Sequence, residues 1–320
     1  MLGTARPPRA NLLEDLAPAA LSAAERGDIG AAYDLARRAL AVAESLPGGT
    51  HGDERRAAGL RALGTAERAA GRYVAAERAF RRSLEAIDRS LGPTSYEAAE
   101  VLNDLGMTLK YAGRFDEAEA AYMRAMAIIE TDPAADLDDL ASLLHNLGGL
   151  AHARGDNATA EPLARRAVEL RTADAGPRDP TTLLDRSAHA AVLDGLGRSH
   201  EAEATIRDLI GDLTTALGED HPEVAVALNN LAAIVQRRGN LAEAERLYRQ
   251  VIAIRVARLG SDSSTLAVSL NNLGTVLRAQ GRMEEAASNY REAVRLLEGA
   301  IDERHPHLQS IRRNLGRVGR

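Results

Sequence analysis

Gly71, Gly113, Gly155, Gly197, Gly239 and Gly281 stand 42 residues apart. Self-similarity at such a period builds a stacked array of small units, because no single unit can bury its own apolar face. Counting each unit from Asp53, Ser95, Leu137, Asp179, His221 and Ser263 puts these glycines at position 19. Position 12 is then always small (Gly64, Gly106, Gly148, Ala190, Ala232, Gly274). Position 24 is always alanine, from Ala76 to Ala286. Gly27–Ala32 matches Gly239–Ala244, which adds an earlier unit. The 320 residues alone suggest about two domains; the period replaces that estimate. The expected organisation is a disordered N-terminus at 1–8, then seven repeats at 9–52, 53–94, 95–136, 137–178, 179–220, 221–262 and 263–304. A capping helix at 305–320 copies the first half of a repeat.

Each unit reads as two helices. Apolar positions 8, 11, 12 and 15 recur at helical spacing, and a second set follows the glycine at 24, 28 and 31. Pro180, Pro222 and Pro306 suit a first helical position, with Asp179 as an N-cap. Leu91-Gly92, Leu217-Gly218 and Leu259-Gly260 suit helix stops.

These residues resemble the tetratricopeptide repeat family. Its pattern W-x2-L-G-x2-Y…A-x3-F is matched as Leu228-x2-Leu231-Ala232-x2-Val235…Ala244-x3-Tyr248, and as Leu270-x2-Leu273-Gly274-x2-Leu277…Ala286-x3-Tyr290. The period is 42 rather than 34, and the proline that closes the family's second helix is missing, so that helix is free to run on. The long period, the Leu-Asn-Asn-Leu runs and His221-Pro222-x-x-Ala225 are similar to the kinesin light chain type. The fold class implied is all-α, a right-handed α-solenoid. The family's concave groove takes extended peptides.

Positions 6, 9, 10, 13, 16 and 17 of each first helix form a stripe opposite the core stripe, and the resemblance makes this stripe the groove lining. It carries Arg61, Arg68, Asn103, Lys110, His145, His152, Asn229, Asn230, Asn271, Asn272 and Arg278. Paired asparagines suit a peptide backbone, since each amide both donates and accepts. They equally suit bonds between neighbouring repeats. Arg and Lys suit carboxylates, so an acidic peptide is the expected ligand, although Glu100 at position 6 weighs against it beside Lys110. Val226 and Val268 would supply apolar contacts.

Repeats four and five are irregular. Arg186 and His189 occupy core positions of repeat five, so either Leu183 and Leu184 rotate in to replace them or a specific pocket forms. His145 and His152 lie about 10 Å apart on a helix, too far to share one metal ion directly, so a metal site would have to recruit Asp194 from the next repeat. Pro162 should delay or kink its helix, and a bend or pocket is expected near the centre. Lys110 is the only lysine; it reads as a groove charge or, less simply, as a reactive amine.

No cofactor or metal is expected. The sequence holds no G-x-x-x-x-G-K, G-x-G-x-x-G, H-E-x-x-H or G-x-S-x-G motif and no cysteine. A net charge of −6 and only 3% aromatic residues argue against nucleic acid as partner. No apolar run suits a leader peptide or membrane span, so the expectation is a cytoplasmic scaffold for a protein or peptide partner. The Arg-for-Lys bias is that of a GC-rich bacterial genome. Two alternatives are a peptide or metabolite sensor acting on a separate protein, and an atypical enzyme with a pocket at repeats three to five.

Overall fold

The computed structural model describes residues 8–45, 49–132, 135–298 and 306–318. The expectation of disorder at 1–8 falls outside these residues, except for Pro8, where the first helix begins. Among the described residues there are fifteen helices and no sheet. They are α1 (Pro8–Glu25), α2 (Ile29–Glu44), α3 (Thr50–Ala69), α4 (Tyr73–Ser90), α5 (Tyr96–Tyr111), α6 (Phe115–Thr131), α7 (Leu137–Ala153) and α8 (Asn157–Asp174). After these come α9 (Pro180–Gly195), α10 (Ser199–Leu217), α11 (Pro222–Arg237), α12 (Leu241–Leu259), α13 (Leu266–Ala279), α14 (Met283–Leu297) and α15 (Pro306–Val318). The chain forms an all-α solenoid whose contacts fall into two compact units, 1–154 and 155–320. The division lies inside the fourth repeat.

The periodic glycines close the first helix of each hairpin. Gly71, Gly113, Gly155, Gly197, Gly239 and Gly281 all have φ between 74° and 85°, a left-handed conformation that costs glycine nothing. The next helix then starts two residues later in every repeat from Tyr73 to Met283. Pro162 neither delays its helix nor ends it: α8 begins at Asn157, where the Asp156 carboxylate accepts from the Thr159 N–H. Pro180 and Pro222 open α9 and α11, capped by Asp179 and His221. With no closing proline, α4, α10 and α12 run to 18 or 19 residues.

In repeats two, three and seven position 12 is glycine because a ring from position 28 packs against it. A Cβ added at Gly64 would sit 2.7 Å from Phe80, at Gly106 2.5 Å from Tyr122, and at Gly274 2.8 Å from Tyr290. All three rings are fully buried. Close approach of the two helices therefore comes from pairing no side chain with a large flat one.

A second ladder runs along the second helices and was visible only as glutamate at the same period. Glu77, Glu119, Glu161, Glu203 and Glu245 each pair with an arginine of the following repeat: Arg114, Arg154, Arg198, Arg238 and Arg282 respectively. Each such surface pair contributes roughly 0–1 kcal/mol, but together they fix how one hairpin sits on the next. Glu245 is the most heavily bonded. Partial burial works to raise its carboxyl, yet hydrogen bonds from Gln280, Arg249 and Arg282 outweigh this and hold it at about 2, below the ordinary 4.5. A depressed carboxyl stabilises the fold fully above its unfolded value and loses that contribution as pH falls towards 2. Amide protection in α12–α14 should therefore drop between pH 4.5 and 2 more steeply in the native protein than in Glu245→Gln. Matching acid profiles would remove Glu245 from the account.

Candidate functional site

In the first unit the predicted stripe on α3, α5 and α7 is largely engaged with itself. Arg61 donates to Asp104 at 2.9 Å and pairs with Glu100 at 2.7 Å, while Arg68 donates to the other Asp104 oxygen at 3.3 Å. Burial of the Arg61 guanidinium opposes its charge, and the two carboxylates more than restore it. Asn146 Nδ2 donates to Asn103 Oδ1 at 2.8 Å. The rule is geometric: position 9 of one repeat reaches position 10 of the next, 43 residues on. Thus two predicted ligand cations are neutralised within the chain, and Asn103 serves a neighbouring repeat.

Lys110 differs. Its Nζ lies 5.8 Å from the Tyr111 ring centroid and 3.1 Å from where a Gly149 Cβ would be. No carboxylate among the described residues pairs with it, and burial pushes the ammonium below the usual lysine value. His145 and His152 are half-buried on α7. Among the described residues no three His, Cys, Asp or Glu side chains converge as a metal site.

In the second unit the stripe on α11 and α13 is much less committed. Asn271 accepts from Asn314 of α15 at 2.9 Å, another 43-residue rung. By contrast, Asn229 Oδ1 and Arg278 Nε are buried without a hydrogen-bond partner. Asn230 and Asn272 are half-buried and make no side-chain hydrogen bond with described residues. Beside them Val226 and Val268 are 37% and 40% exposed. The result is three amides and one guanidinium with unused bonding capacity, flanked by two exposed valines, on adjacent first helices. An unbonded buried amide or guanidinium costs about 1–3 kcal/mol until something bonds it.

The irregular residues of repeat five are satisfied internally. Leu183 is fully buried, as its counterparts Ala57, Ala99, Ala141, Ala225 and Ala267 are in the other repeats, while Leu184 is only half-buried. Arg186 donates to Asp212 at 3.0 Å and to the Pro177 carbonyl at 3.3 Å, and His189 lies 3.5 Å from Glu161. Asp194 accepts from Ser199 at 2.9 Å and pairs with Arg237. A cleft of about 560 Å³ opens beside Arg178, Arg186 and Asp212, but both arginines already pair with Asp212. Missed from the sequence is the buried pair Arg171–Asp185, 2.7 Å apart. Neither residue stood out, because both lie at positions where the repeats vary.

Tetratricopeptide-repeat models match residues 55–131, 139–210 and 265–318, and a second such model matches 224–264. The chain belongs to the tetratricopeptide repeat family, whose fold is that of a protein-interaction scaffold. Among solved structures it is similar to BtubC (BKLC) from P. vanneervenii, 20% identical over 75% of this chain and 93% of that one, TM-score 0.53. A putative kinesin light chain with nearly identical repeats from Podosopora anserina is also 20% identical, over 64% and 95%, TM-score 0.50. A Rap protein complexed with competence and sporulation factor is 14% identical over 97% and 86%, TM-score 0.73. At these identities the likeness is one of fold. No curated protein sequence matches the chain. No helix among the described residues is long and apolar enough to cross a membrane.

Proposed function

We propose that the protein is a cytoplasmic scaffold that binds an extended, carboxylate-bearing peptide or partner segment along α11 and α13. The observation that carries this reading is the row of half-buried side chains there, Asn229, Asn230, Asn272 and Arg278, which make no side-chain hydrogen bond with described residues. A peptide backbone offers N–H and C=O groups in alternation, which match the two-sided chemistry of an amide. A carboxylate would answer the guanidinium, and the exposed Val226 and Val268 would cover apolar side chains. The Rap protein solved with competence and sporulation factor supports the same use of the fold.

Arg61, Arg68, Asn103 and Asn271 are a poorer choice of ligand contacts, since each already bonds within the chain. This separates binding from folding. Asn229→Ala and Asn272→Ala remove no internal bond and should not lower the melting temperature, whereas Asn271→Ala should lower it. Panning a random dodecapeptide phage library on the protein should enrich acidic sequences. Each of the two amide substitutions should then weaken the selected peptide about fivefold, one neutral hydrogen bond's worth. Arg278→Gln should abolish the acidic bias. Selected peptides indifferent to all three changes would defeat the proposal.

A further inference from the structure

We propose that a cavity in the first unit binds an aliphatic ammonium group, a ligand of opposite charge to the peptide proposed above and independent of it. The cavity lies between α1, α3, α4 and α5 and measures about 370 Å³, near the small end of ligand pockets, roughly 300–1,000 Å³. That volume suits one short alkyl chain. Its floor is apolar: Ala57, Ile87 and Val101 are all buried. Leu91, on the same wall, is 42% exposed, so part of the apolar lining still faces water.

Charge decides what the alkyl chain must carry. Three carboxylates, Glu54, Glu97 and Glu100, line the cavity against one guanidinium, Arg61. Arg61 pairs with Glu100 and is shared with Asp104, so it has no surplus charge for a ligand. Glu97 is exposed in the first turn of α5 and pairs with no described cation. Among the described residues Glu54 pairs only with His51, whose side chain is 87% exposed. An anion entering here would meet uncompensated negative charge. A neutral alkane would gain burial alone, while an ammonium gains both burial and a charge-assisted bond. The same group is offered by a free alkylamine and by the lysine side chain of a partner, and the experiment separates the two.

Alanine and isoleucine methyls labelled with ¹³C would be followed by NMR on the full chain. The probes are n-hexylammonium, hexanoate and hexan-1-ol, and the peptides acetyl-Gly-Ala-Lys-Ala-Gly-amide and its Glu counterpart. Hexylammonium should shift the Ala57, Ala58 and Ile87 methyls saturably, at about tenfold lower concentration than hexanoate or hexanol. Glu54→Gln with Glu97→Gln should erase that preference while hexanol still binds. Ala58→Leu, at an exposed lining position, should fill the cavity and abolish every response, with methyl signals of the second unit unchanged as the folding control. A response to the Lys peptide makes a partner's side chain the source; a response to the free amine alone makes it a small molecule. Equal response to the three hexyl probes, or shifts that survive Ala58→Leu, would overturn the assignment.

Discussion

Removing either member of the Arg171–Asp185 pair should destabilise the second unit by about 3–5 kcal/mol, the usual cost of stranding one buried charge. Arg171 closes α8 and Asp185 lies mid-α9, so their 2.7 Å contact ties the second helix of one repeat to the first helix of the next. Their side chains are only 8% and 2% exposed. Asp185→Leu would leave the guanidinium buried without its counter-ion; Arg171→Ala would leave the carboxylate likewise. Replacing both, as Arg171→Met with Asp185→Leu, should return most of the loss, because desolvating two charges offsets much of their attraction. Repeat arrays melt locally rather than all at once. Hydrogen exchange of α8 and α9 amides is therefore the proper readout, with the thermal melt as a second. Single variants that exchange like the native protein would show the pair to be ornamental.

Tyr122→Ala should cost a further large amount, about 3–5 kcal/mol, by opening a ring-sized void between α5 and α6. The converse change, Gly106→Ala, should cost about 1–3 kcal/mol, since its methyl would sit 2.5 Å from a ring that has nowhere to go. The two should be coupled: the double variant loses less than the sum, because the new methyl enters the space the ring vacates. Tyr122→Phe is the informative control. The Tyr122 hydroxyl is buried with no partner, so removing it should be neutral or stabilising by up to about 1 kcal/mol. Tyr248 and Tyr290 bond Gln236 and Thr275 through theirs, and should lose stability on the same change. Exchange in α5–α6 measured for the four Tyr122 and Gly106 variants gives the cycle; strict additivity would refute the ring-on-glycine account.

Much of the fold was legible because it is local and repeated. A glycine every 42 residues needs only its own backbone to end a helix, and the glycine at position 12 of repeats two, three and seven needs only its partner ring sixteen residues on. The site was less legible. The stripe was found by helical spacing, yet Arg61 and Arg68 read as ligand cations when each belongs to Asp104. Asn103 and Asn229 look alike in sequence, but one bonds Asn146 and the other holds a buried, unbonded oxygen. Arg186 looked anomalous until Asp212 was placed beside it. In each case the partner lies on another helix, and in the stripe it is 36 or 43 residues away.

The sequence by itself determined the helices, most of their ends (the start of α8 ahead of Pro162 excepted), the hairpin pairing and the face that packs inward. These follow from backbone conformation and apolar spacing within one unit. Only the tertiary structure decided which polar groups are satisfied and which remain available. That depends on distances between neighbouring repeats, where one ångström separates a closed ion pair from a group still able to bond a guest.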